Sequence, residues 1–249
     1  MLGLGTSLST GGVLSNPESP EEIGGLEIWL KNGVGLTGDP VESWNDSSGN
    51  ARHAAQDTSG ERGAEASGGI DFSSASVEDF YVFTEDTTAH LDIGGSNAFT
   101  FAAVVRREGT DGDDNAIIGG DGNSQFIAVK SEEQIEIKSS DGSSVFNFAT
   151  NTWEIEKEFV ITITKNTSGA FVFMKDGTVI TPTSTTNPTN TGANVVKYLA
   201  ARHPGTTIGS MTFEGKIKEL VIYSAKLTGG DLEGLNDYLT TKFADSLDA

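Results

Sequence analysis

From Gly25 onward, apolar and polar positions alternate with a period of two through much of the chain, the spacing of half-buried β-strands. Leu26-Glu27-Ile28-Trp29-Leu30 predicts a strand with Leu26, Ile28 and Leu30 on one face. Phe99 to Val105 is apolar on nearly both faces and predicts a strand covered on both sides. Residues 115–120, 125–130, 135–138, 145–148, 159–164 and 170–175 read as further short strands, and Phe213 to Tyr223 as a long late one. Asp176-Gly177 between two such runs is a two-residue hairpin signal. The Thr-, Asn- and Pro-rich stretch 181–193 reads as a loop. The pattern changes only near the end. Leu232, Leu235, Tyr238, Leu239 and Phe243 fall at helical spacing, and Thr228 with Asp231 resembles a capping box, predicting a helix over 229–243. A dozen or more strands and one C-terminal helix give an all-β class, a two-sheet antiparallel sandwich over 24–249.

Composition sharpens this picture. The chain has 249 residues, 31 of them Gly, and no Cys. Disulfides and thiolate metal sites are excluded, so packing must hold the fold. No apolar run approaches the length that spans a bilayer, and no membrane partner is expected. The net charge of −20 repels phosphate backbones and argues against nucleic acid as a partner. It favours basic partner surfaces and solubility in a saline setting. Residues 1–23 lack the basic and apolar regions of a signal peptide. They read as an extended arm, of a kind that orders against a partner.

The stretch WNDSSGNARH, residues 44–53, concentrates the candidate chemistry. Asp46, Asn50, Asn45 and nearby carbonyls offer hard oxygen ligands for a structural calcium, with Asp46 and Asn50 as the named metal ligands. The competing reading is an Asx or Ser turn with Gly49 at positive φ and the His53 ring bonded to the turn. The three histidines are too scattered for a zinc site. Glu154, Glu156 and Glu158 would share one face of a strand, an arrangement to compare with the carboxylate pair of a retaining glycosidase. The sequence around them lacks the aromatic residues of a sugar cleft. Trp29 and Trp153 read as packing residues; Trp44, Tyr81 and Tyr198 sit nearer to loops. Arg106-Arg107 reads as a small basic surface spot.

The order of these landmarks is similar to one known superfamily. "LEIWL", "DSSGNARH", "GGIDFSSASVEDFYVF", "FTFAAVVRRE", Trp153 ahead of "FVITITK", "FVFMKDGTV" and "FEGKIKELVIYSAKLTGGDLEGLNDYL" follow one another as in the concanavalin A-like lectin/glucanase superfamily, in particular its laminin G-like branch. That resemblance implies a two-sheet jelly roll. Its members bind glycans or proteins, hydrolyse polysaccharides or serve in assemblies, so the fold leaves the function open. It also implies that a loop like DSSGN holds calcium with help from a late-strand carboxylate. Here Lys218 stands where that pattern has Asp and Glu219 is retained, so Lys218 is expected to meet Asp46 in place of an ion. The arm "LGLGTSLSTGG" resembles the start of structural proteins from marine tailed phages, cyanophages especially. Together these imply a non-enzymatic virion structural protein: a capsid decoration, fibre or spike component with a lectin-like domain. It would have no cofactor beyond the calcium, partner virion proteins through its arm, and contact glycans, with homo-oligomerisation left open. A carbohydrate-binding module or adhesin of a marine bacterium is the alternative, and a glycoside hydrolase the third reading.

Overall fold

The computed structural model describes residues 19–72, 79–84, 91–95, 97–109, 115–120, 125–189, 191–202 and 212–247. The strands in chain order are β1 (Leu26–Leu30), β2 (Leu36–Thr37), β3 (Ser43–Trp44), β4 (Ala54–Ala55), β5 (Ala64–Ala66), β6 (Gly69–Asp71), β7 (Tyr81–Phe83), β8 (Leu91–Asp92), β9 (Phe99–Arg107) and β10 (Ala116–Gly119). They continue as β11 (Phe126–Ser131), β12 (Gln134–Ser139), β13 (Gly142–Asn147), β14 (Glu158–Lys165), β15 (Phe171–Lys175), β16 (Thr178–Ile180), β17 (Ser184–Thr186), β18 (Val195–Val196), β19 (Tyr198–Leu199) and β20 (Gly215–Tyr223), followed by helix α1 (Gly229–Lys242).

Two antiparallel sheets stack face to face. One runs β16-β15-β14-β9-β20-β6-β5, with β1 also paired to β20. The other runs β17-β13-β12-β11-β10-β19-β7-β4-β3-β2. The main core lies between them and takes Phe101, Ala103 and Val105 from β9, Ile161 and Ile163 from β14, and Ile127, Ile135 and Phe146 from the facing sheet. The architecture is the two-sheet sandwich that the alternation predicts, consistent with the jelly roll that the resemblance implies.

Helix α1 covers the outer face of the first sheet. Leu235, Leu239 and Phe243 pack there on Trp29, Ala102, Val104, Val160, Val221 and Tyr223. This second layer explains why Phe99 to Val105 is apolar on both faces: β9 is central and covered on each side. The helix starts where expected, but Thr228 makes no side-chain capping bond. Asp231 in the first turn and Lys242 in the last still complement the helix dipole. Among the described residues no helix is long and apolar enough to cross a membrane.

Two bulges depart from simple alternation. The register of β1 against β20 shifts between Leu26 and Ile28. Ile28 and Leu30 enter the inter-sheet core, whereas Leu26 packs with Trp29 on the helix side. The expected common face of Leu26 and Ile28 is thus broken. The register of β20 against β9 shifts between Ile217 and Glu219, leaving Lys218 as the extra residue. Ile217, Leu220 and Ile222 then point inward, while Val221 and Tyr223 lie under the helix.

The stretch 181–193 is not all loop. Ser184–Thr186 forms β17, an edge strand paired to β13 and exposed at all three residues. Residues 1–18 of the expected arm lie outside the described residues. Pro20–Glu22 forms one 3-10 turn. Ile23 joins the cluster under the helix, and Tyr223 Oη donates to the Pro20 carbonyl at 2.9 Å.

Candidate functional site

The loop that follows β3 is a dense hydrogen-bonded hub. Asp46 Oδ1 accepts from Trp29 N at 2.8 Å and Ser48 N at 2.9 Å. Asp46 Oδ2 accepts from Ser48 Oγ at 2.7 Å and Arg52 N at 3.1 Å. Asp46 N donates to His53 Nδ1 at 3.0 Å, so the His53 ring does bond the turn. Ser47 N donates to Trp29 O at 2.8 Å. Asn50 Nδ2 donates to Leu26 O at 2.9 Å and Glu27 O at 3.1 Å. Arg52 closes the set with an ion pair to Glu27 at 2.8 Å. β1 pairs with β20 on one side only. These contacts cover its other edge, where unpaired backbone groups would otherwise invite association.

The structure brings Asp46 and Asn50 together, but this donor set does not fit calcium. Both Asp46 oxygens already face N–H or O–H donors, and Asn50 turns its NH2 group toward the carbonyls of Leu26 and Glu27. Among the described residues no cluster of three or more His, Cys, Asp or Glu stands ready for a metal. Lys218 does not meet Asp46 either; the bulge in β20 sends it to Glu158, 2.5 Å away. The unfolding temperature is therefore expected to be the same in EDTA as in millimolar calcium. A drop of several degrees in EDTA, restored by calcium, would place an ion in this loop.

The carboxylates at 154–158 do not share a strand face. Glu154 to Lys157 is a turn with Glu156 at φ 61°, and the strand begins at Glu158. Glu154 pairs with Lys157 at the surface, 3.7 Å away. Glu158 is buried beneath the end of α1, bound by Lys218 and by the Ser246 hydroxyl. On the same side Glu219 is fully buried. It accepts from Trp29 Nε1 and Tyr238 Oη, each at 2.8 Å, from Lys242 Nζ at 2.6 Å, and from Asn32 N at 3.3 Å. The resemblance marks Glu219 only as the retained carboxylate of the late-strand pattern. Its actual role is to fasten the helix and β1 to β20.

Asp79 is a third buried carboxylate, 3% exposed. Burial first, and the charge of Asp71 second, push it up to about 6. The folded protein therefore holds this proton more tightly than the unfolded chain. The resulting stability is complete below the ordinary value of 3.8 and is lost as pH rises through about 6. Asp79→Asn cannot ionise. It is expected to be more stable than the parent by about 1–3 kcal/mol at pH 8 and equal to it near pH 3.5. Urea unfolding at the two pH values checks this; a difference independent of pH would refute it.

A cavity opens at one end of the sandwich, where Lys165 ends β14. The alternation Phe159, Ile161, Ile163 turns Lys165 inward as well, and it is 2% exposed. Its ammonium donates to Gly95 O at 3.0 Å and more distantly to Ile93 O at 3.5 Å. Burial pulls its pKa down, and the Asp92 and Asp141 charges oppose that shift. Asn194, 3% exposed, donates from Nδ2 to Lys138 O at 3.0 Å and from its backbone to Asp92 Oδ1 at 2.9 Å. Its Oδ1 is buried with no hydrogen-bond partner. Phe99, Phe171 and Ser139 complete the walls. Gly94 lets the loops meet, since a Cβ there would lie 2.0 Å from Asn194 N. The signal in the sequence was a lysine at an inward position of FVITITK; nothing marked Asn194.

The aromatic residues are packing residues throughout. Trp29, Trp44, Trp153 and Tyr81 are fully buried and Tyr198 nearly so. Trp44 and Tyr81 thus belong to the strands of the core, not to loops as their sequence context suggested; Tyr81 Oη donates to Val41 O at 2.7 Å. Arg107 is buried rather than a surface spot, with Nη1 on Gly109 O at 3.3 Å.

No curated protein matches the chain. Among solved structures, the binding domain of Paraclostridial Mosquitocidal Protein 1 is similar over 89% of this chain and 53% of its own, with TM-score 0.61 at 14% identity. A botulinum neurotoxin type C structure, described as depending on two ganglioside molecules for cell entry, is similar over 86% of this chain and 51% of its own, with TM-score 0.57 at 16% identity. Trypanosoma rangeli sialidase is similar over 92% of this chain and 36% of its own, with TM-score 0.55 at 14% identity. The chain spans about half or less of the length of each, and at these identities the likeness concerns the fold. A laminin G family model of the concanavalin A-like lectin/glucanases superfamily matches residues 76–233, well over half of the chain. With the two-sheet sandwich in place and the landmarks in order, the chain belongs to the concanavalin A-like lectin/glucanases superfamily.

Proposed function

We propose that the chain is a non-catalytic, lectin-like module of a virion, a capsid decoration, fibre or spike component that docks through its N-terminal arm and contacts glycans with its jelly roll. The observation that carries the non-catalytic reading is the use of its acidic residues. Glu158 is tied to Lys218 and Ser246 beneath α1, and Glu154 sits in a surface turn paired to Lys157. Each carboxylate is thus held by a lysine, whereas a retaining glycosidase sets two carboxyl groups facing one another across the scissile bond. Glycan contact is supported by the likeness to the botulinum neurotoxin type C structure, a toxin whose cell entry depends on interaction with two ganglioside molecules. The net charge of −20 favours a basic docking surface on the partner.

Removing residues 1–18 tests the docking role, because Pro20 and Ile23 belong to the packed body. The truncated protein is expected to unfold at the same temperature as the full chain and to fail to incorporate into particles. Incorporation at the level of the full chain would refute docking through the arm. A glycan array with the full chain tests the second half of the proposal. Strong glycan binding together with particle-independent secretion would favour an adhesin or carbohydrate-binding module instead.

A further inference from the structure

We propose that the cavity between Lys165 and Asn194 is a subsite for one exocyclic hydroxyl of a neutral sugar. This inference rests on the glycan contact proposed above and names the chemistry of that contact. The space open to the centre of a water-sized group is about 10 Å³, room for a single oxygen atom. An ammonium has three N–H groups. Two point at Gly95 O and Ile93 O, which leaves one for an acceptor in the cavity. Asn194 Oδ1 is a buried acceptor without a donor, and the bond from its Nδ2 to Lys138 O fixes which end of the amide is the carbonyl. An occupant must therefore accept from Lys165 and donate to Asn194 through one oxygen. A hydroxyl does both.

A carboxylate does not. It has no proton for Asn194, and it would be repelled by the Asp92 and Asp141 charges that act on Lys165. The Phe99 and Phe171 rings line the same cavity and suit the C–H groups that carry a sugar hydroxyl. An exocyclic CH2OH projects beyond the ring, so it can enter a space that admits one oxygen while the ring stays outside.

Labelled full-length protein titrated with methyl α-D-glucoside and methyl β-D-galactoside tests this by NMR. The side-chain signals of Asn194 and Lys165 are expected to shift saturably with at least one of these sugars. The matching 6-deoxy sugar should bind at least tenfold more weakly, and sodium acetate should leave both signals in place. Equal shifts from the sugar and its 6-deoxy analogue would overturn the subsite. So would unmoved signals in a protein that binds glycans on an array, a result that makes the cavity a site for structural water only and leaves glycan contact standing. Unmoved signals with no array binding would remove both proposals.

Discussion

Replacing Glu219 with leucine is expected to lower the unfolding free energy by about 3–5 kcal/mol, because it strips several buried or part-buried donors of their acceptor at about 1–3 kcal/mol each. The carboxylate is fully buried and serves four donors. Lys242, a quarter exposed, can swing to water when its partner disappears. Trp29 Nε1 cannot, because the indole is 1% exposed and packed edge-on against Tyr238 at 6.1 Å between ring centroids. A buried donor left without an acceptor costs its full desolvation. Glu219→Gln keeps one acceptor oxygen and the side-chain shape, so its loss should be smaller, about 1–3 kcal/mol. Urea unfolding gives both values, and amide exchange should show α1 opening first in the leucine variant. A loss below about 1 kcal/mol for Glu219→Leu would mean that apolar packing alone holds the helix.

Asp46→Ala is the second large effect, an expected loss of about 2–4 kcal/mol. One carboxylate there accepts four hydrogen bonds, and one of them satisfies Trp29 N on the free edge of β1. The loop is partly exposed, so water can recover some of what is lost, which keeps the value below the sum of four charged bonds. Asp46→Asn retains one acceptor oxygen and should cost about half as much. Amide exchange at Trp29 and Ser48 reads the local consequence. Full protection of Trp29 N in the alanine variant would show that the loop covers β1 without this side chain.

The strands were legible in the sequence wherever one face met the core and the other met water, as in Gln134–Ser139. The helix was legible because Leu232, Leu235 and Leu239 break from period two to a helical spacing. The bulges were not, since register depends on which strand lies alongside. A trace of one was present: Ile217 and Leu220 are both inward yet three apart, an odd spacing that regular alternation cannot place on one face. That single extra residue decided the candidate chemistry. It turned Glu219 under the helix and sent Lys218 to Glu158, so the pairing with Asp46 suggested by family likeness did not form. The 44–53 loop was recognisable as a landmark, but its work as an edge cover for β1 depends on main-chain groups that carry no sequence signature. The Lys165 cavity was half legible, from the alternation that turns a lysine inward; Asn194 arrives from a loop that shows no period at all.

The pinning of Pro20 and Ile23 beside α1, with Leu247 packed on the same cluster, sets an orientation for the whole module. Both chain ends leave the described body from the helix-covered side. A tether, fusion partner or solid support joined directly to a body trimmed to residues 19–247 would therefore hold it by one face. The ten-stranded sheet would be presented outward in either case, so immobilising that trimmed body through residue 19 or through residue 247 should display the same surface.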